Sequence, residues 1–429
     1  MSNSAVDSIN TRLQSGYARH RLALILLITL LIAYIDRVNV AVLVVDNTFL
    51  TDMGIANDPV AKGSLMTVFL VCYGIGSVLL SPVGDWLGPR KATLISILFW
   101  TLALIWGGFA TGLVTMLLSR ALLGIGESMH YPMQSKFVKN WFPPHERGKA
   151  NATWLIGLNI APMVAMPLFA WMIAAVGWRD NFFFLASLGI IPLFLIWKYT
   201  ADHPHLYQGI SPCEQAYIEA ALSKEQAVEG TAAPTNAWQS FLIVTRDYRV
   251  WLLVLAYSGT SSIYWGVITW LPSYLKEARE FSWAAMGAWA SLPYIMAIVV
   301  KVGAGFAIDK IGRPALFLAT GLLGSAIFIW LGAYAENNII ATILISCGVG
   351  TLAMGTPCAW VLLQQLLPGK VAGTGAGFMN GVASIISAAS PLMVGFFIAL
   401  TGSYIGGLMY MVGWGVFGAG LCLVLAWKR

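Results

Sequence analysis

Long apolar runs separated by short polar segments fill this chain from residue 22 onward. Twelve runs, at about 22–45, 63–84, 92–112, 114–139, 150–175, 182–199, 249–271, 284–307, 315–335, 339–366, 372–398 and 405–427, approach the roughly 20 residues that an α-helix needs to cross about 30 Å of hydrocarbon. Glycine and proline inside them are compatible with transmembrane helices, where both are common. One polar segment is long, about 200–248. It contains Glu214, Glu219, Glu225, Glu229 and the soft stretch EGTAAPTN, and it predicts a linker with one short amphipathic helix around PCEQAYIEAALSKEQA. The expected organisation is a polar tail at 1–21, six helices at 22–199, the linker at 200–248 and six more helices at 249–427, an all-α integral membrane fold.

Charge adds an orientation. With the N-terminus inside, 18 of the 25 lysines and arginines fall on the cytoplasmic side and 4 on the other, while Arg37, Arg120 and Lys301 sit within runs. The positive-inside rule then predicts both termini in the cytoplasm. The first run is too long for the core of a signal peptide and is expected to remain as a span. Composition agrees, with 58% hydrophobic and 10% charged residues and a mean hydropathy of +0.74. The net charge of +6 therefore reports sidedness, and no nucleic-acid partner is expected. The five cysteines lack CxxC spacing and suit reduced packing positions. Neither a P-loop, a metal-ligand cluster nor a Ser/His/Asp arrangement is present, so ATP-driven transport, enzymatic chemistry and a bound cofactor are not expected.

The two halves carry related loops. SPVGDWLGPRK, residues 81–91, follows the second run, and GFAIDKIGRP, residues 305–314, follows the eighth. Each sets an Asp three residues before a Gly with an Arg close behind: Asp85, Gly88 and Arg90 in one, Asp309, Gly312 and Arg313 in the other. Gly permits a tight turn, and the Asp can cap a helix or pair with a base. A plain positive-inside hairpin would explain one such loop; recurrence at the same place in both halves marks an internal repeat.

With the six-plus-six layout and SRALLGIGE in the fourth run, these loops resemble the signature segments of the major facilitator superfamily. YIDRVNVAV, GIGESMHYP, WFPPHERGKA, GWRDNFF and ITWLPSYL resemble its anion:cation symporter branch, which includes proton-coupled galactonate and hexuronate carriers and, more distantly, sialin and vesicular glutamate transporters. The resemblance implies two pseudo-symmetric six-helix bundles that alternate access to a central cavity. It also implies a monomer in a bacterial inner membrane whose partners are a small organic anion, protons and the lipid bilayer.

Asp36 and Arg37 stand side by side in an otherwise apolar span, where each charge costs roughly 2.5–3.5 kcal/mol on insertion scales. Adjacent residues project about 100 degrees apart, so one neighbour cannot serve both. A guanidinium matches a carboxylate at two points, which suits Arg37 to a substrate acid group, and desolvation suits Asp36 to binding a proton. The matching residues do these jobs in the carriers that the chain resembles. The alternative is a structural ion network holding span one to a neighbour. Arg120 and Glu127, seven apart in span four, share a helix face, and Gly124 between them leaves room for another helix.

Glu127 is the second proton-binding candidate by the same resemblance, with Arg120 a structural or electrostatic modulator. His130 stands where the resembling segments carry small or apolar residues, and is either a titratable modulator or a polar packing residue. Tyr73 and Asn380 match hydrogen-bonding positions of the sugar-acid carriers. Tyr264 and Trp265 are candidates for cavity lining or for packing. Lys301 can snorkel to the cytoplasmic interface or meet an anionic substrate. Span five, GLNIAPMVAMPLF, lacks the Gly-Pro pattern of antiporters in the superfamily. The expected function is import of a sugar acid, such as a hexonate or hexuronate, with protons. The alternatives are a facilitator or exchanger of dicarboxylates or aromatic acids, and an exporter of amphipathic compounds.

Overall fold

The computed structural model describes residues 17–229, 237–311, 313–367 and 372–427 and, within them, all side chains except those of 78, 81–86, 148, 225–229, 237–240, 302, 304–311, 364 and 372–374. Regular structure among these residues is helical. The first half holds Ala18–Leu43, Pro59–Leu87, Pro89–Gly108, Leu113–Glu127 with His130–Trp141, Arg147–Leu155 with Gly157–Val176, and Trp178–Leu188 with Ile190–Tyr199. In the second half come Tyr248–Ser273, Trp283–Trp289 with Leu292–Ile311, Pro314–Tyr334, Asn338–Ala353 with Gly355–Leu366, Ala372–Ala388 with Ser390–Thr401, and Tyr404–Trp427. We number these as spans one to twelve. Among the described residues, eleven helices are long and apolar enough to cross a membrane. Span four differs because a turn at Ser128–Met129 divides it into two shorter helices.

Local chemistry explains several ends. Span one begins four residues before its apolar run because Glu214 of the linker caps it from outside, accepting from the backbone N–H groups of Ala18 and Arg19 at 3.1 Å each. Past span one, Asp46 caps the short helix Asn47–Met53 by accepting from Phe49 N at 2.8 Å, and Gly54 ends it with φ +70. Gly88 takes φ +83 between spans two and three, and the carboxylate that caps span three is that of Asp202, which accepts from Arg90 N at 2.7 Å. The side chains of Asp85 and Asp309 lie outside the described residues. Arg90 donates to the carbonyl of Trp197, and Arg313 is exposed just before span nine.

The linker corrects one expectation. Besides the amphipathic helix at Pro212–Glu229 it contains a second helix, Ala237–Arg246, with Val244 buried and Phe241 packed edge-on against Phe378 of span eleven, ring centroids 5.8 Å apart. Its apolar run, FLIV, is too short to register as an element in the hydropathy pattern.

The halves meet through span one against seven, two against eleven and five against eight. Exchanging each span for its counterpart six places along the series turns this set into itself, as two pseudo-symmetric bundles require. Close approaches between the halves occur at the end remote from the termini. A Cβ on Gly287 at the start of span eight would sit 2.6 Å from the Ala170 side chain in span five, and Cβ atoms on Gly63 and Gly395 would collide with the carbonyls of Pro391 and Pro59 across the interface. There Lys62 of span two pairs with Glu277, just past span seven, at 3.1 Å, and Trp283 donates to the carbonyl of Ala170.

Candidate functional site

Between the halves lies a cavity of about 170 Å³. That is more than ten times the roughly 10–15 Å³ that one water requires, so a small molecule fits. Span one brings Tyr34 and Arg37 to its wall, span two Tyr73, span seven Tyr264 and Trp265, span eight Lys301 and span eleven Asn380. Every substrate-binding candidate named from sequence thus faces one space, and Lys301 lines it as well.

The charged groups behind the wall come from spans one and four. Arg37, 3% exposed, donates through Nε to Oε2 of Glu127 at 2.5 Å. Its guanidinium carbon lies 4.4 Å from the ring centroids of both Tyr34 and Tyr73, so two aromatic faces hold the group in place. Among the described residues no other partner takes a hydrogen bond from Arg37, which leaves the Nη1–Nη2 edge for a second acceptor. Glu127 is fully buried, and its Oε1 has no hydrogen-bond partner among the described residues.

Asp36 does not line the cavity. It is fully buried, neither carboxylate oxygen has a hydrogen-bond partner among the described residues, and the charges that act on it are Glu127, Arg120 and Arg37. Arg120, 1% exposed, lies 5.3 Å over the Phe182 ring, with no partner for its Nε and one Nη among the described residues. Buried polar atoms in native proteins are nearly always hydrogen-bonded, so three bare carboxylate oxygens and two bare guanidinium nitrogens in one region mark a site under tension. Gly124 brings span four onto span two, as its position predicts: a Cβ there would lie 2.9 Å from Tyr73 N. That close approach carries Glu127 to Arg37.

His130 turns away from the cavity. It packs edge-on to Trp100 with centroids 5.3 Å apart, and its Nε2 lies 2.9 Å from Gln134 Nε2, which also donates to the Leu26 carbonyl of span one at 3.0 Å.

Several wall residues escaped the sequence reading: Tyr34, Tyr131, Asn159, Tyr257, Thr260 and Ser261. A signal for some of them existed. Tyr257, Thr260, Ser261, Tyr264 and Trp265 recur at i, i+3, i+4, i+7 and i+8 along span seven, a polar stripe on one face of an apolar helix. The Lys62–Glu277 pair was also missed, because nothing in the order of residues brings spans two and seven together.

The Major Facilitator Superfamily model matches residues 26–391 of the chain. A protein described as a probable sulfoacetate transporter of Cupriavidus necator is 28% identical over 411 residues, 94% of this chain and 92% of that protein. A probable galactarate/D-glucarate transporter of Escherichia coli is 26% identical, covering 95% of this chain and 93% of its own length. Among solved structures, a bacterial homologue of the human lysosomal transporter Spinster superposes with a TM-score of 0.75 at 17% identity, over 96% of this chain and 97% of that one. A D-xylose–proton symporter gives 0.72, again at 17% identity, over 95% and 97%.

Proposed function

The chain belongs to the Major Facilitator Superfamily, and on that premise we propose that it imports a small organic anion, a sugar acid such as a hexonate or hexuronate, together with protons. The observation that carries this reading is Arg37 on the cavity wall with Glu127 on its Nε and its far edge open. A substrate carboxylate takes the Nη1–Nη2 edge at two points, and the hydroxyl and amide groups of Tyr73, Asn159, Tyr264 and Asn380 serve the sugar hydroxyls. Relatives named for sulfoacetate, L-galactonate and galactarate/D-glucarate support an acid substrate.

Coupling follows from charge balance. With Glu127 ionised, Arg37 is already neutralised, and an incoming carboxylate faces a competing one. A proton arriving at Oε1, the bare oxygen, releases Arg37 to the substrate. Asp36, whose carboxylate oxygens have no hydrogen-bond partner among the described residues, is the second carboxylate where a proton removes a buried negative charge. Closure over the loaded cavity then leaves fewer unpaired charges than closure over an anion alone or a proton alone.

The charge distribution of the loops supports cytoplasmic termini, placing the contacts of Lys62, Gly63 and Gly287 at the outer face. Their tightness favours an inward-facing state of an inner-membrane carrier. Uptake into proteoliposomes with and without an inward proton gradient tests the reading. Accumulation above the outside concentration only under the gradient is expected; gradient-indifferent equilibration would replace symport by facilitation.

A further inference from the structure

The cavity wall carries two cations and, among the described residues, no carboxylate. Arg37 reaches it from one half of the protein and Lys301 from the other. Their situations differ. Arg37 has Glu127 at 2.5 Å, whereas Lys301, partly buried and sharing the wall with Ala297, Val349 and Leu352, makes no ion pair or hydrogen bond with any described residue. An ammonium withdrawn from bulk water without a counter-charge is costly, and packing gives no return for it that an apolar side chain would not match.

We propose that Lys301 is the second anion-binding group of the cavity, and that the preferred substrate is a dianion: two acid groups on one small hydroxylated skeleton, one held by Arg37 and the other by Lys301. The inference rests on the organic-anion reading given above. Once Glu127 is protonated, the wall presents two positive charges. A monoanion leaves one of them unmet when the cavity closes, and a dianion meets both. Between the cations the wall offers Tyr73, Asn159, Thr260, Ser261, Tyr264 and Asn380, hydrogen-bonding groups suited to a hydroxylated chain joining two acid groups. A lysine is a point charge on a flexible stem, so the second acid group is free to be a carboxylate or a sulfonate.

A matched pair of probes decides this in proteoliposomes under an inward proton gradient. D-glucarate and D-gluconate share their carbon number and differ by one acid group. The apparent KM for glucarate is expected to lie about tenfold or more below that for gluconate. Lys301→Gln and Lys301→Met, made together so that a folding failure of one does not remove the readout, are expected to bring that ratio to within about twofold, and Lys301→Arg to preserve it. Sulfoacetate serves as a third probe: uptake lost in Lys301→Gln assigns a carboxylate–sulfonate pair to the same two cations, and indifference to it confines the second site to carboxylates. Equal KM values for glucarate and gluconate, or a ratio that the neutral variants leave in place, would overturn the dianion assignment and leave the organic-anion reading standing. Absence of uptake for all three probes would overturn both.

Discussion

Arg37 and Glu127 bind each other across spans one and four, Nε to Oε2 at 2.5 Å, while the other carboxylate oxygen of Glu127 has no hydrogen-bond partner among the described residues. If the proton that releases Arg37 binds there, Glu127→Gln mimics the released state permanently. That variant is expected to keep substrate exchange between labelled and unlabelled pools and to lose gradient-driven accumulation. Counterflow and net uptake measured on the same proteoliposomes separate the two; a variant that still concentrates substrate would remove Glu127 from coupling.

Arg37→Lys keeps the charge and loses the planar edge. A charged hydrogen bond to a carboxylate is worth about 1.5–3 kcal/mol, so affinity is expected to fall by roughly 10- to 150-fold. Titration of substrate-dependent thermal stabilisation reports this without needing turnover. Unchanged affinity would mean that the substrate is held elsewhere.

Lys62 and Glu277 close the end remote from the termini, with Glu277 38% exposed and also accepting from Tyr404. Partly exposed pairs contribute about 0.2–1 kcal/mol, so Lys62→Glu is expected to shift the conformational population by about 1.5- to 5-fold toward opening at that face. The double reversal Lys62→Glu with Glu277→Lys should restore it. Labelling rates of a cysteine placed at Ser64 measure the opening, and a double variant that behaves like the single one would show that the pair does not latch the halves.

The linker is tied to span one through Arg19, which bonds Glu146 at 2.8 Å and Glu214 at 3.0 Å. Partial burial pushes the Glu146 carboxyl up, but hydrogen bonds from Arg19 and Tyr217, with the Arg19 charge, hold it below the usual carboxylate value. A depressed value means stability that is fully present above the ordinary carboxylate range and lost as pH falls through the folded value. Hydrogen exchange in the helix Pro212–Glu229 is therefore expected to rise on acidification below about pH 4.5. In Glu146→Gln it should be faster already at neutral pH and vary less with acid.

Gly124→Leu forces a side chain into the space where span two passes, against Phe69 O and 2.9 Å from Tyr73 N. Overpacking of this kind costs about 1–3 kcal/mol. A lower melting temperature is expected together with weakened substrate binding, because the same contact positions Glu127 and Tyr73; a melting temperature equal to the parent would show that span four repositions freely.

The hydropathy pattern exposed the spans because crossing hydrocarbon demands about 20 apolar residues whatever the neighbours are. Arg37 and Lys301 stood out as charges in apolar runs, Tyr73 and Asn380 came from the family resemblance, and the structure brings all four to one cavity. Three things stayed hidden. The Arg37–Glu127 bond depends on how closely span four approaches span two, the orientation of His130 on its packing against Trp100 of span three, and the Lys62–Glu277 bond on which spans meet across the halves. None of these is a property of a single helix, so no periodicity encodes it. Asp202 was overlooked for a related reason: its capping partner, Arg90 N, is 112 residues away.

The pairing of span one with seven, two with eleven and five with eight has a consequence for how such a carrier evolves. Since exchanging the halves leaves that pattern of neighbours unaltered, the backbone topology has no preferred vestibule. Whichever mouth rests shut is chosen by a handful of side chains, here Lys62, Glu277, Trp283 and the glycines beside them. Direction of net flux is thus left to the gradients, and the resting bias between mouths can be rewritten by few substitutions without redesigning a single helix.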